Sequence, residues 1–237
     1  MYRYFLWAAI GFISGSILYS YHVPKIFKNI DITKVSRDGN PGTSNAFKYA
    51  GIKVGIMCLA LDLAKGFLPV MLAFLRLDAK NILFTLIIVS PVLGHATAFL
   101  YSHIGGGKAI AVSFGVLIAL IPHSYIVLLL AAAYIFFSTV YKIYPHEKRT
   151  VVTFLLFAAA SIIDGLYKKN SVWGLSAAMI SVIVIAKNRH DALTGDSAES
   201  EVPEPPDTSS EEIPILAYAE NAAAVSDSDD RRGCENN

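Results

Sequence analysis

Long runs of apolar residues, each closed by a short cluster of polar, charged or glycine residues, dominate the first 190 positions of this chain. Seven such runs can be drawn, at approximately 4–22, 52–75, 81–101, 109–121, 123–141, 150–166 and 171–187. A helix crossing the hydrocarbon core of a bilayer needs about 20 apolar residues, so the pattern predicts a bundle of membrane-spanning helices. The expected fold class is all-α, a polytopic membrane protein with seven transmembrane helices. The fourth run is short and contains Gly115, and only Pro122 and His123 separate it from the fifth, so merging the two gives a six-helix alternative. The first run joins one arginine to an apolar stretch ending in small residues, as a signal peptide does. A glycine-rich loop follows it directly, and it is read as a retained first span.

Composition agrees with the pattern: 54% of the 237 residues are apolar and mean hydropathy is +0.48. The formal charge of +1 conceals two opposite regions. Residues 1–190 hold 18 Lys and Arg against six acids, net +12, whereas the chain from Asp191 onward holds 13 acids against Arg231 and Arg232, net −11. The positive body suits a lipid bilayer with anionic headgroups and phosphate-bearing substrates, and makes no case for nucleic acid. With seven spans and the N-terminus outside, twelve basic residues fall in inner segments and five (Arg3, Arg76, Lys80, Lys168, Lys169) in outer ones, so the C-terminus is expected in the cytoplasm. Tyrosines and tryptophans near segment ends fit interfacial anchors. Beyond about Leu193 the chain turns to Ser, Glu, Asp and Pro, which cannot bury enough apolar surface to offset ordering entropy. The expected division is a membrane domain at 1–192 and an acidic disordered cytoplasmic tail at 193–237. Two cysteines, Cys58 and Cys234, supply neither a disulfide framework nor a metal site. No internal repeat is visible, and no sequence pattern sets the oligomeric state; a monomer is compatible with it.

Two glycine-rich loops carry the candidate chemistry. In the first, Gly39 and Gly42 permit positive φ, Pro41 fixes a turn, and Asn40, Thr43, Ser44 and Asn45 surround the bend with short hydrogen-bonding side chains. A helix starting near Thr43 would place Asn45 and Lys48 on one side, its N-terminus aimed at an anion; a plain interhelical turn is the other reading. In the second, Gly105, Gly106 and Gly107 let backbone approach a ligand closely, and Lys108 adds three donors and a positive charge. The GxxxxGK[ST] spacing of a nucleotide-hydrolysing loop is absent. His95 lies within the third span and is either part of a site or bonded to a backbone carbonyl. Asp62 and Lys65, three apart on one helical face in an apolar run, are expected to pair inside the bundle, either holding the fold or orienting a substrate.

Together these motifs resemble the bacterial PlsY-type acyl-phosphate:glycerol-3-phosphate acyltransferases over roughly residues 5–195. DGNPGTSNAFK (Asp38 to Lys48) is similar to that family's SGNxGATNxxR. LDLAKGFLPV contains a match to DxxKGxxPV from Asp62 to Val70, and LGHATAFLYSHIGGGKAIAV (Leu93 to Val112) is similar to LGHxFPxFxxFKGGKGVAT. A faint likeness to HxxNxxRLxxG after the seventh run keeps Asn188 and Gly195, with Ile185 and Asp191 at the positions of His and Arg. The resemblance implies a seven-helix fold with the active site on the cytoplasmic face of the inner (plasma) membrane. It implies transfer of a fatty acyl group from acyl phosphate to glycerol 3-phosphate, giving lysophosphatidic acid in phospholipid biosynthesis, with no cofactor. It assigns Asn45, Lys48, His95, Lys108 and Asn188 to catalysis, and Gly39, Asn40, Gly42, Ser44, Gly105, Gly106 and Gly107 to substrate binding. Three departures stand in the loops: Asp38 for a hydroxyl residue, Lys48 for arginine, and Ala109 for the glycine after the lysine. A negative Asp38 beside a phosphate site needs a counter-ion, and Arg37 or Lys48 is the expected one. The alternative function is a transporter or binding protein for a phosphorylated or anionic solute, or a catalytically weak family member.

Overall fold

The computed structural model describes residues 1–101, 104–121, 124–167 and 171–194, with side chains up to Arg189. The expected boundary at Pro122 and His123, two of the outer lysines (Lys168 and Lys169), Gly195 and the acidic tail beyond it lie outside the described residues. Among the described residues the regular structure is all helix: α1 (Tyr2–Ser16), α2 (Tyr19–Lys28), α3 (Ile32–Val35), α4 (Thr43–Ala50), α5 (Ile52–Phe74), α6 (Phe84–Thr97), α7 (Ile110–Ala119), α8 (Ile126–Thr139), α9 (His146–Tyr167) and α10 (Ser171–Thr194).

Each apolar run of the sequence becomes helix, but not every helix has the length of a full crossing. Among the described residues five segments are long and apolar enough to cross a membrane: Tyr2–Lys28, Ile52–Phe74, Phe84–Tyr101, His146–Tyr167 and Ser171–Arg189. The fourth and fifth runs give α7 and α8, of 10 and 14 residues, short of the ~20 of a full crossing. The first span is also not one helix. Ile17 adopts an extended conformation (φ −72°, ψ 120°) and divides α1 from α2. The break has a physical cause: the freed carbonyl of Ile17 accepts a 2.6 Å hydrogen bond from Lys65 Nζ, a buried charge that must be satisfied inside the bundle.

The main core is built from Phe84, Ile87, Ile88, Val116, Leu117, Phe154, Phe157 and Ile180, all buried. Leu6, Ile13, Leu72, Leu156, Ile163 and Val182 face outward; on a membrane helix this surface meets lipid chains instead of water. Helices close on each other through small residues, as expected where no hydrophobic force separates protein from solvent. At Gly94 a side chain would collide with the carbonyl oxygen of Phe12, so α1 and α6 could not approach as they do. A second, smaller core of Val23, Ile32, Ala46, Ala50, Val54 and Cys58 joins α2, α3, α4 and α5. It supports the first glycine loop.

Candidate active site

The first loop runs from the end of α3 to the start of α4 and is laced to itself. Gly39 has φ +58°. Asp38 Oδ1 accepts from the backbone N–H of Asn40 at 3.2 Å and from Asn45 Nδ2 at 2.8 Å. Asn45 Nδ2 also donates to the carbonyl of Asn40 at 2.9 Å, and the N–H of Gly42 reaches that carbonyl at 2.8 Å. Asn45 therefore shapes the loop, while Ser44 is exposed. The helix does begin at Thr43 with Gly42 as its cap, as the sequence predicts.

Lys48 does not join this group. It is exposed, its ammonium 5.3 Å from the centre of the Tyr49 ring. The reason lies in which face of α4 is buried. Ala46 and Ala50, one turn apart, pack into the smaller core, and Lys48 is two residues from each, about 200° around the helix. The arginine position of the motif is thus occupied by a residue on the outer face.

A buried polar chain ties the first loop to the second. Thr43 Oγ1 and Ser20 Oγ donate to Asp62 Oδ2 at 2.8 and 2.9 Å. Asp62 pairs with Lys65 at 2.8 Å, their side chains 2% and 1% exposed. Lys65 Nζ then lies 2.8 Å from His95 Nδ1. An ammonium has only donors, so Nδ1 accepts and the ring proton sits on Nε2. The Nε2 edge of His95 packs against Gly107, where any side chain would overlap the ring, and the His95 carbonyl accepts from the Gly107 N–H at 3.2 Å. Only glycine at 107 lets the loop lie this close. The expected Asp62–Lys65 pair is present, and it braces both loops at once.

In the second loop Gly105 has φ +76° and Ala109 φ +62°. Ala109 is buried and caps α7 in the left-handed conformation; its Cβ costs roughly 1–2 kcal/mol there. Lys108 lies between them in the chain, and its ammonium is 2.8 Å from Asp38 Oδ2 and 2.8 Å from Glu147 Oε1. Burial alone would raise the pKa of Asp38, but the bonds and charge of Lys108, with the donors of Asn45 and Asn40, outweigh it and hold the carboxyl below its ordinary value. The counter-ion observed on Asp38 is therefore Lys108, from the opposite loop, in place of the expected Arg37 or Lys48. Asn188 of α10 is buried and donates to the carbonyls of Val184 at 2.7 Å and Lys108 at 3.4 Å.

These pieces enclose a polar cleft of about 160 Å³. Asp38, Gly39, Asn40 and Pro41 come from the first loop, Ile104, Gly106 and Lys108 from the second, and Lys187 from α10. Two cations and an array of backbone on facing glycine loops suit a small anion. Among the described residues no three His, Cys, Asp or Glu side chains come together as metal ligands. Of the residues singled out in the sequence, Gly39, Asn40, Gly106 and Lys108 line the cleft; Gly42, Asn45, Gly105, Gly107, His95 and Asn188 support its walls. Lys187 and Glu147 escape the motif reading. Lys187 has a signal, since it directly precedes Asn188; Glu147 has only its rarity, as one of six acids in the first 190 residues.

The chain is similar to known proteins in both sequence and fold. The sequence profile of the family described as Glycerol-3-phosphate acyltransferase matches residues 5–194. A glycerol-3-phosphate acyltransferase of Hydrogenobaculum sp. (strain Y04AAS1) is 30% identical over 185 residues, which cover 78% of this chain and 89% of that one. Another from Macrococcus caseolyticus (strain JCSC5402) is 30% identical over 180 residues, 76% of this chain and 86% of its own. The fold is similar to the crystal structure of PlsY (YgiH), an integral membrane glycerol 3-phosphate acyltransferase in its glycerol 3-phosphate form. That likeness has a TM-score of 0.67 at 22% identity and covers 81% of this chain and 93% of that one. These relatives are named for an acyltransferase and not for a solute transporter, so the transporter reading is set aside. With the family profile spanning nearly the whole described bundle, this chain belongs to the glycerol-3-phosphate acyltransferase family.

Proposed function

We propose that this membrane acyltransferase of phospholipid synthesis moves a fatty acyl group from acyl phosphate to the 1-hydroxyl of glycerol 3-phosphate, and does so in the cleft between the two glycine loops. The observation that carries the reading is Lys108, set on a glycine loop beside Gly106 and facing the first loop across the cleft. Acyl phosphate already contains a good leaving group. The hydroxyl oxygen of the acceptor attacks the acyl carbonyl carbon, the bond from that carbon to the phosphate oxygen breaks, the hydroxyl proton passes to the departing phosphate, and inorganic phosphate leaves with lysophosphatidic acid as the other product. The protein need only position two anions and stabilise developing charge. Lys108 and Lys187 hold phosphate oxygens, the backbone around Gly106 approaches them closely, Asn40 orients the reacting groups, and Asn188 positions Lys108 through its backbone carbonyl. His95 acts from behind, by fixing Gly107.

The excess of basic residues in the inner segments supports a cytoplasmic active site in the inner (plasma) membrane, with N-terminus outside and C-terminus inside. On this topology α7 and α8 complete the seven crossings as short, partly protein-surrounded helices. Residues 1–192 form the catalytic domain, the acidic tail is an extension of it, and a single copy contains the whole cleft. The test is direct. Protein purified in detergent should release phosphate and form lysophosphatidic acid from acyl phosphate plus glycerol 3-phosphate, and should restore growth of a cell lacking this step; formation of neither product overturns the proposal.

A further inference from the structure

A carboxylate from α9 closes on the lysine that phosphate binding requires. Glu147 stands in the first turn of α9, where unpaired N–H groups favour negative charge, so an acid at this position is ordinary by itself. Its 2.8 Å contact with Lys108, 39 residues away, is not explained by helix capping. Asp38 shares the same ammonium. Two carboxylates already sit at 2.8 Å from this ammonium, so a phosphate that settles on Lys108 meets their negative charge at close range unless one of them withdraws.

The two carboxylates are not equally held. Asp38 is fastened into the first loop by Asn45 and the backbone of Asn40. Glu147 has, besides Lys108 and among the described residues, a 3.1 Å contact with Nε2 of its neighbour His146. When it leaves the lysine, the N-terminus of its own helix still accommodates its charge. Both side chains are largely buried but still reach solvent, at 10% and 12% exposed, against 1% and 2% for the Lys65–Asp62 pair.

We propose that Glu147 is a displaceable counter-ion of Lys108 that sets the phosphate affinity of the cleft, giving up the lysine to an entering phosphate and reclaiming it as phosphate leaves. This rests on the acyltransferase reading above. Every turnover generates inorganic phosphate beside Lys108, and the return of Glu147 competes it away. A tighter site would bind substrate better and stall on product.

The test compares wild-type protein with Glu147→Gln, both purified in detergent. The readouts are the inhibition constant of inorganic phosphate in the acyl-transfer assay and the calorimetric dissociation constant of inorganic phosphate without substrate. The glutamine keeps size and loses charge. Both constants are expected to fall at least fivefold, with stronger product inhibition in progress curves. A purely structural brace between α9 and the second loop predicts the opposite sign, because a loosened loop binds phosphate more weakly; unchanged or weaker phosphate binding overturns the proposal. If Glu147→Gln does not yield folded protein, Glu147→Ala is read for the same sign, and failure of both to fold makes Glu147 a structural brace and overturns it too. A wild-type protein that neither binds glycerol 3-phosphate nor forms lysophosphatidic acid defeats the acyltransferase reading itself. A wild-type enzyme that turns over while Glu147→Gln gains no phosphate affinity defeats the counter-ion alone.

Discussion

Two ion-pair centres in this molecule, both anchored on a lysine, differ in how far they are closed. Lys65 is sealed among Asp62, His95 and the carbonyl of Ile17, with the paired side chains 1% and 2% exposed. Lys108 bridges Asp38 and Glu147 at the edge of a cleft, with its partners 27% and 12% exposed. A sealed pair in a membrane interior cannot be rearranged without leaving a bare charge in low dielectric, so it acts as a fixed strut. A pair at a cleft edge, with partners in reach of solvent, costs less to rearrange because water can approach whichever group is released. The first centre holds the two glycine loops in register; the second presents charge to whatever enters between them.

The largest expected effect breaks the sealed centre. Lys65→Met leaves Asp62 buried without its partner and should lower stability by about 3–5 kcal/mol, read as a large drop in the thermal midpoint in detergent. The double variant Asp62→Asn/Lys65→Met removes both charges and should recover much of that loss; a double variant as unstable as the single would show that hydrogen-bond geometry, not charge, makes the strut. Next comes the open centre. Lys108→Ala should leave the thermal midpoint within a few degrees of wild type yet reduce kcat/KM at least ~100-fold, since an electrostatic contact to a reacting group is typically worth that much. Lys48→Ala, on the outer face of α4, should change kcat/KM by less than about threefold, so an equal loss from both variants would remove the distinction drawn between them.

A smaller effect is expected beside the cleft. Ala109→Gly relieves a Cβ in the left-handed region and should stabilise the protein by about 1 kcal/mol or less, with activity retained. A destabilised glycine variant would mean that the buried methyl contributes more by packing than its backbone strain costs. The smallest concerns pH. The folded-state pKa of Asp38 is depressed, so the stability its bridge contributes is present at neutral pH and is lost as pH falls through that depressed value. Between pH 7 and pH 5 wild type and Asp38→Asn should therefore lose stability in parallel; in more acidic solution, below about pH 4, the gap between them should close. A gap that closes already near pH 6 would contradict the Lys108–Asp38 bridge.

Much of the fold is legible in the amino-acid sequence because a bilayer imposes a length. Apolar runs near 20 residues can be counted directly, and the run at 109–121 is visibly short and its cut from 123–141 the weakest; these two runs become the short helices α7 and α8. Both glycine loops are legible as well, through Gly39, Gly42 and Gly105 to Gly107, as is the Asp62–Lys65 pair through its i,i+3 spacing. The break at Ile17 is not. Ser14, Gly15 and Ser16 weaken the helix locally, but the group that takes up the freed Ile17 carbonyl is Lys65, 48 residues away. Lys48 departs from expectation for a related reason: the motif aligns it with an arginine, while Ala46 and Ala50 decide which face of α4 turns inward.

Hydrophobic length, glycine content and charge are local properties written residue by residue, and they suffice to make this chain an apolar helical bundle with two glycine loops, the second carrying a lysine. Which charges meet is a matter of packing. Asp38, Lys108 and Lys187 lie far apart along the chain and share no period, and their convergence on one cleft, with Glu147 of α9 on Lys108, follows from how the helices pack around the loops. A contact between distant residues is paid for by loop closure and core packing across the whole bundle, so no window of sequence contains it.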